Sequence, residues 1–179
     1  MTDSQNPNEQ PVISRRRRWL RRLRSIGTFL VLMAAMIAVS DYWRGRDLPE
    51  QALPAIPMTT LAGDRIDLDA MSQDAPVLVY FWATWCGICP AVSPSVDWLS
   101  PRHQVVSVAL SSGDGERVRR YMQAKGYDFP VVNDPEGRIG QAWGIGATPS
   151  VAIIHRGEIT SFTAGITTPP GLWLRLWLA

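Results

Sequence analysis

Cys86 and Cys89 are the only cysteines of a 179-residue chain, and they stand three apart in the segment 81–90, FWATWCGICP. That residue type at that spacing admits three chemistries: a metal site, a structural bridge, or a dithiol that opens and closes. A structural zinc site takes four ligands, usually two such pairs. There is no third cysteine, and the two histidines, His103 and His155, fall in or beside expected strands without metal-ligand spacing. A bridge across two intervening residues closes so short a loop that it removes little entropy from the unfolded chain. A redox dithiol suits the spacing best, when it lies at the start of a helix that follows a buried strand. There, unpaired backbone N–H groups and the positive end of the helix dipole favour a thiolate on the first cysteine. Cys86 is then the nucleophile that forms a mixed disulfide with a protein thiol or disulfide, and Cys89, one turn further in, resolves it. Trp85 is expected to shield and pack the pair, as a core aromatic. Such exchange needs no metal and no cofactor.

The elements that must hold this pair follow from the flanking pattern. PVLVYFWAT, residues 76–84, is a continuous apolar, β-branched and aromatic run, as in a strand buried on both faces. The residues after Cys86 are expected to be helical to about Leu99, with a kink at Pro94. Residues 104–110, QVVSVAL, form a second buried strand. Residues 113–126, GDGERVRRYMQAKG, form a helix that places Val118, Tyr121 and Met122 on one face and stops at Gly126. A short strand at 129–134, a short helix or turn at 135–144, two strands at 150–155 and 158–164 meeting at Arg156 and Gly157, and a closing helix at 169–178 complete the order. Upstream, Gly63 and Asp64 supply turn chemistry between two short runs of TTLAGDRIDL, residues 59–68, which reads as a hairpin. Strands alternating with helices and ending in a hairpin imply an α/β domain of three layers around a mixed sheet. The closing GLWLRLWLA covers that sheet, or lies at a membrane interface, where Trp173, Arg175 and Trp177 would suit the boundary.

The N-terminus is of a different character. Residues 1–25 hold seven arginines against Asp3 and Glu9, a balance of +5, so the remaining chain carries −3 of the total +2. The basicity is a tail, which argues against nucleic acid as a partner of the folded part. Residues 25–43, SIGTFLVLMAAMIAVSDYW, carry one charge, Asp41, and as a helix would extend about 28 Å, close to the ~30 Å hydrocarbon thickness of a bilayer. Arginines on one side and Tyr42 with Trp43 on the other orient the segment with its N-terminus inside. The expected organisation is a cytoplasmic arginine-rich tail at 1–24, a transmembrane signal anchor at 25–43, a Pro-rich linker at 44–57 and a domain outside the cytoplasm at 58–179. Ala38, Val39 and Ser40 also offer a signal-peptide cleavage pattern before Asp41, which would deliver the same domain to the same compartment.

Taken together, FWATWCGIC resembles the active-site segment of thioredoxin-fold proteins, Pro94 falls where that family kinks its helix, and GATPSVAII resembles the family's loop before a strand. The resemblance implies a thioredoxin-like three-layer sandwich in which a cis-proline, here Pro149 preceded by Thr148, faces the cysteines and binds extended substrate. The hairpin, residues 117–145 and the tryptophan-rich ending are most similar to membrane-tethered envelope proteins of the suppressor-for-copper-sensitivity D type. That likeness implies a periplasmic oxidoreductase on the inner membrane of a bacterium, a reductant under copper stress, taking electrons from a membrane-embedded reductase and passing them to protein disulfides. A reductase for cytochrome c maturation would share the chemistry. A copper-delivery protein of the same fold is the rival, although such proteins place three residues between their cysteines and add a late histidine. Two departures stand out. Thioredoxin's buried aspartate is matched by Tyr80, leaving proton transfer at Cys89 to water or another group, with Glu136 as a candidate. Thioredoxin also has proline between its cysteines where this chain has Gly87 and Ile88, so the direction of electron flow does not carry over.

Overall fold

The computed structural model describes residues 53, 54 and 56–179, together with eight scattered positions between 24 and 36. The chain divides into two units, 1–40 and 41–179. In the first, Arg24, Gly27, Thr28, Phe29, Val31, Leu32, Met33 and Met36 are helical and exposed. The remainder of the expected tail, anchor, cleavage pattern and linker lies outside the described residues. No helix among the described residues is long and apolar enough to cross a membrane.

The second unit opens with the hairpin: β1 (Met58–Thr59) pairs antiparallel with β2 (Arg65–Ile66), Met58 opposite Ile66. Gly63, at φ 98°, makes the turn that a side chain would strain. The hairpin is fastened to the sheet edge by an antiparallel bridge from Thr60 to Val132, with the Leu61 N–H donating to the Val131 carbonyl at 2.8 Å. After it come α1 (Leu68–Asp74), β3 (Val77–Trp82), a 3-10 turn (Cys89–Ala91), α2 (Ser93–Leu99), β4 (Gln104–Leu110), α3 (Gly115–Lys125), β5 (Val131–Asp134), α4 (Arg138–Ala142), β6 (Ser150–His155), β7 (Glu158–Ala164) and α5 (Pro169–Leu178).

The five main strands form one mixed sheet in the order β5-β4-β3-β6-β7. β3 runs parallel to β4 and antiparallel to β6, so it sits at the centre with a neighbour on each side. Every residue of β3 is buried, because its alternating side chains feed two separate cores. Leu78, Tyr80 and Trp82 pack with Val96 and Leu99 of α2, Val118 and Met122 of α3, and Leu172 and Leu176 of α5. Val77, Val79 and Phe81 pack on the other face with Leu68 of α1, Ile139 of α4 and Trp143. Helices on both faces of a mixed sheet give the three layers of a thioredoxin-like fold.

Local chemistry sets the helix ends. The Asp114 carboxylate accepts from the Arg117 N–H at 2.7 Å to start α3, and Gly126, at φ 67°, ends it. α5 starts at Thr168 with Pro169 and Pro170 in its first turn, buries Leu172 and Leu176, and leaves Trp173 and Trp177 exposed. The helix after the cysteines departs from expectation. It is not one kinked helix from 86 to 99 but a 3-10 turn followed by α2, with Pro94 in the first turn of α2. A proline there loses no hydrogen bond, whereas inside a continuous helix it would clash with the Pro90 carbonyl.

Candidate active site

The parallel strands β3 and β4 end side by side, with Trp82 opposite Ala109, and the loops beyond them build the site. Past β3 the chain turns sharply. The Thr84 N–H donates to Ser112 Oγ at 2.9 Å, and the buried Ser112 hydroxyl donates in turn to the Leu110 carbonyl at 3.0 Å. The Cys86 N–H then donates to the Ala83 carbonyl at 3.2 Å, which folds the motif back over the strand end.

Cys86 and Cys89 are joined as a disulfide with their Cα atoms 5.5 Å apart. Their environments differ in the sense that exchange chemistry needs. Cys86 retains 7% exposure and Cys89 has none. The Cys89 N–H donates to Cys86 Sγ at 3.1 Å, so a backbone dipole at the start of the helical segment is already aimed at the outer sulfur. Gly87 and Ile88 lie exposed between them. Among the described residues no group of three or more His, Cys, Asp or Glu side chains could hold a metal ion. His155, at the end of β6, meets the Ala179 carbonyl oxygen through Nδ1 and so ties α5 to the sheet.

Trp85 corrects one expectation. It is 61% exposed, hence not a core aromatic, and its Nε1–H donates to the Ser111 carbonyl at 3.0 Å. Lying beyond the end of β3, it has no opposing layer to enter, and the carbonyl offered by Ser111, at φ 44°, satisfies its one polar atom. Trp85 and Ile88, on either side of Cys86 in the chain, are both exposed apolar side chains.

Thr148 and Pro149 reach the same end of the sheet through register. β6 runs antiparallel to β3 with Ser150 opposite Phe81, so the residues just before β6 stand level with the end of β3. The Thr148–Pro149 bond is cis, and the Pro149 carbonyl accepts from the Gly165 N–H at 2.7 Å. Thr148 is half-buried, and among the described residues its hydroxyl makes no hydrogen bond, which leaves it available to a bound chain. Glu136 is elsewhere: an exposed turn residue paired with Arg138 at 3.1 Å, it takes no part in the site.

Behind Cys89 lies a group that inspection of the motif did not reveal. The Tyr80 hydroxyl, rising from the centre of β3, is 2.9 Å from Ser93 Oγ and 3.4 Å from the Cys89 carbonyl oxygen. Ser93 Oγ donates to that same carbonyl at 3.1 Å, and the Val92 N–H donates to it at 2.9 Å. Burial pushes the Tyr80 phenol well above its ordinary range, the hydrogen bond with Ser93 opposing and Tyr127 and Tyr121 adding to the rise. It is therefore a neutral hydroxyl where the resemblance implied an acid. The i, i+4 spacing of Cys89 and Ser93 is the one trace of this arrangement in the sequence.

Comparison with known proteins agrees with this geometry. Residues 48–162 match the AhpC/TSA family. The chain belongs to that family, as a thioredoxin-like thiol-disulfide oxidoreductase. A thioredoxin-like protein of Haemophilus influenzae is 37% identical over 153 residues, spanning 85% of this chain and 89% of the relative. A thiol:disulfide interchange protein DsbE homologue of Paracoccus denitrificans is 33% identical over 103 residues, 56% of this chain and 57% of its own length. Among solved structures, a secreted Mycobacterium tuberculosis disulfide oxidoreductase homologous to DsbE superposes with a TM-score of 0.60 at 22% identity, covering 69% of this chain and 96% of that one. At that identity the likeness speaks for the fold. The two cysteines of this oxidoreductase thus lie in the loop after β3, with Thr148 and Pro149, just before β6, level with the end of that strand.

Proposed function

We propose that this thiol-disulfide oxidoreductase acts as a membrane-anchored reductant of protein disulfides in the periplasm, with Cys86 as nucleophile and Cys89 as resolving thiol. The observation that carries the assignment of roles is the asymmetry of the pair: the outer sulfur is the accessible one and the one that receives the Cys89 N–H. In the forward direction the Cys86 thiolate attacks a substrate disulfide, forming a Cys86–substrate S–S bond and expelling one substrate thiolate. Cys89, having lost its proton, attacks Cys86 Sγ, forms the bond present in the structure and releases the second substrate thiolate. Two electrons pass from the dithiol to the substrate, and solvent protonates the products. Trp85 and Ile88 offer apolar surface to the bound segment, while Thr148 and Pro149 offer a polar edge for an extended backbone.

The sequence supports the anchor and the compartment: seven arginines, then an apolar run of bilayer length, then a Pro-rich tether. A tether of some 14 residues would hold the domain near a membrane reductase and raise its effective concentration there. The role in copper tolerance follows from the likeness to the suppressor-for-copper-sensitivity D type. Cytochrome c maturation is the second reading, favoured by the similarity to proteins named DsbE and ResA.

The deciding measurement is the reduction potential of the full chain against glutathione. A value near or below about −250 mV is expected, and one near about −120 mV would make the protein an oxidant. Cys89→Ser should accumulate a mixed disulfide with substrate proteins and Cys86→Ser should not; trapping by Cys86→Ser would reverse the roles. Protease added to spheroplasts should degrade the domain, and protection would overturn the periplasmic assignment. Tight stoichiometric Cu(I) binding by the reduced chain, abolished by Cys86→Ser, would favour copper delivery instead.

A further inference from the structure

Resting on the redox reading of Cys86 and Cys89, we infer that Tyr80 and Ser93 are positioning residues for the inner thiol: their hydroxyls, stacked on the Cys89 carbonyl, favour Cys89 as a thiolate without contributing an ionisable group.

The hydroxyls form a short directed chain. Ser93 Oγ–H donates to the Cys89 carbonyl at 3.1 Å, and the Tyr80 O–H, 2.9 Å from Ser93 Oγ, completes it. With the Val92 N–H at 2.9 Å, two donors act on that oxygen, and the single Tyr80 proton, given to Ser93 Oγ, reinforces one of them. The negative end of a peptide dipole two bonds from the Cys89 Cα would otherwise oppose a negative sulfur on the same residue. Donors placed on that oxygen offset it, and they act in a site where Tyr80, Cys89 and Ser93 are 0%, 0% and 1% exposed, so solvent does not screen them.

The effect falls on one step. In resolution, the Cys89 thiolate displaces substrate from Cys86; in the reverse direction, Cys89 is the leaving group when an incoming thiolate attacks Cys86. Both need negative charge on Cys89, and neither changes the charge of Tyr80 or Ser93. The first attack by Cys86 depends instead on the Cys89 N–H and on exposure, which the hydroxyl pair leaves alone. A buried acid would also accept the Cys89 proton. Tyr80 and Ser93 do not, and contribute only orientation and dipoles.

The test uses the reduced full chain in detergent micelles, mixed in a stopped-flow cell with the aromatic disulfide DTNB. Thionitrobenzoate is released twice: first when Cys86 attacks the reagent, then when Cys89 displaces the second thionitrobenzoate from Cys86. Tyr80→Phe keeps the ring and its edge contact with Phe129, and removes the hydroxyl. It should slow the second release about three- to tenfold, the worth of one hydrogen bond, and leave the first within about twofold. Ser93→Ala should do the same, and the double variant should be no slower than the slower single one, because both hydroxyls act through one carbonyl. Ser93→Thr, which restores a hydroxyl, should recover the second release. A second release at the parental rate in Tyr80→Phe, or both releases slowed by one factor, would overturn the inference, the latter pointing to a purely structural role. Should Tyr80→Phe fail to fold, the Ser93 pair of variants decides alone. Absence of the first release in the parent chain would instead refute the redox reading itself.

Discussion

Replacing Tyr80 by Phe should change how stability depends on pH in a way that no simple loss of packing can imitate. The ring is fully buried at the centre of the sheet, and burial holds the phenol neutral far above the pH at which a free tyrosine ionises. In the unfolded chain the same group loses its proton near pH 10. Above that pH the native state binds one more proton than the unfolded state, so stability falls as pH rises, by up to about 1.4 kcal/mol per pH unit. Below it both states are neutral and the group contributes no slope. Worked through, Tyr80 ionisation costs the parent about 0.4 kcal/mol at pH 10 and about 1.4 kcal/mol at pH 11. Against this, Tyr80→Phe gives up a hydroxyl hydrogen bond worth about 1 kcal/mol at every pH. The variant should therefore be the less stable protein at pH 7 to 9, and the two curves should cross between about pH 10.5 and 11. Tyr121, raised in the same direction by partial burial, is present in both proteins and cancels. The assay is urea denaturation of the oxidised chain, in which no thiol titrates, at half-unit steps from pH 7 to 11. A stability difference that stays constant across the range would refute the claim that Tyr80 is held un-ionised.

Three further outcomes follow from the packing around the site. Leu172→Ala, which empties a fully buried position between α5 and the sheet, should cost about 3 kcal/mol in urea denaturation, whereas Trp177→Ser on the exposed side of the same helix should cost under about 0.5 kcal/mol; the opposite ranking would mean that the helix packs by its tryptophan face. Ser112→Ala should lower stability by about 1–3 kcal/mol, visible as a reduced melting temperature, because the Thr84 N–H loses its acceptor, and an unchanged melting temperature would show that water replaces it. Trp85→Phe should leave stability within about 1 kcal/mol, since only an exposed hydrogen bond is lost, but should slow the reduction of insulin more than that of DTNB; equal slowing would deny the ring a part in binding protein substrates.

Much of the fold was legible because the sheet announces itself locally. The run from Val77 to Trp82 needs two apolar layers to be buried on both faces, and a strand with two such faces needs helices above and below. The C-terminal end of α3 is equally plain, since Gly126 acts on its own backbone. The division of the active-site helix was not. An apolar pattern running through Val92, Val96 and Leu99 suits one helix, and only the combined demands of Pro90 and Pro94 move the start of α2 to Ser93. Trp85 departs from expectation for a related reason: aromatic character says that a side chain seeks cover, and whether cover exists beyond the end of a strand is decided by a different loop, here Ser111, 26 residues away.

The site shows the same division between short- and long-range information. Two cysteines three apart after a buried strand specify a dithiol, and the local turn explains why the Cys89 N–H points at Cys86 Sγ. Thr148 and Pro149 were placed by resemblance, and the physical reason they belong is the β3–β6 register, which local pattern does not encode. Tyr80 is the sharpest instance. As one aromatic in a buried strand it reads as core, which it is, and as the counterpart of an aspartate it reads as the absence of a proton relay. Both descriptions miss that a phenol is long enough to carry its hydroxyl from the strand to Ser93 and the Cys89 carbonyl. A carboxylate at the root of that position would titrate and would need water beside it in the core. The tyrosine fills the volume with ring, brings one donor to the place where the inner thiol is held, and stays neutral, so the chain trades a proton relay for a fixed dipole at the same point of the sheet.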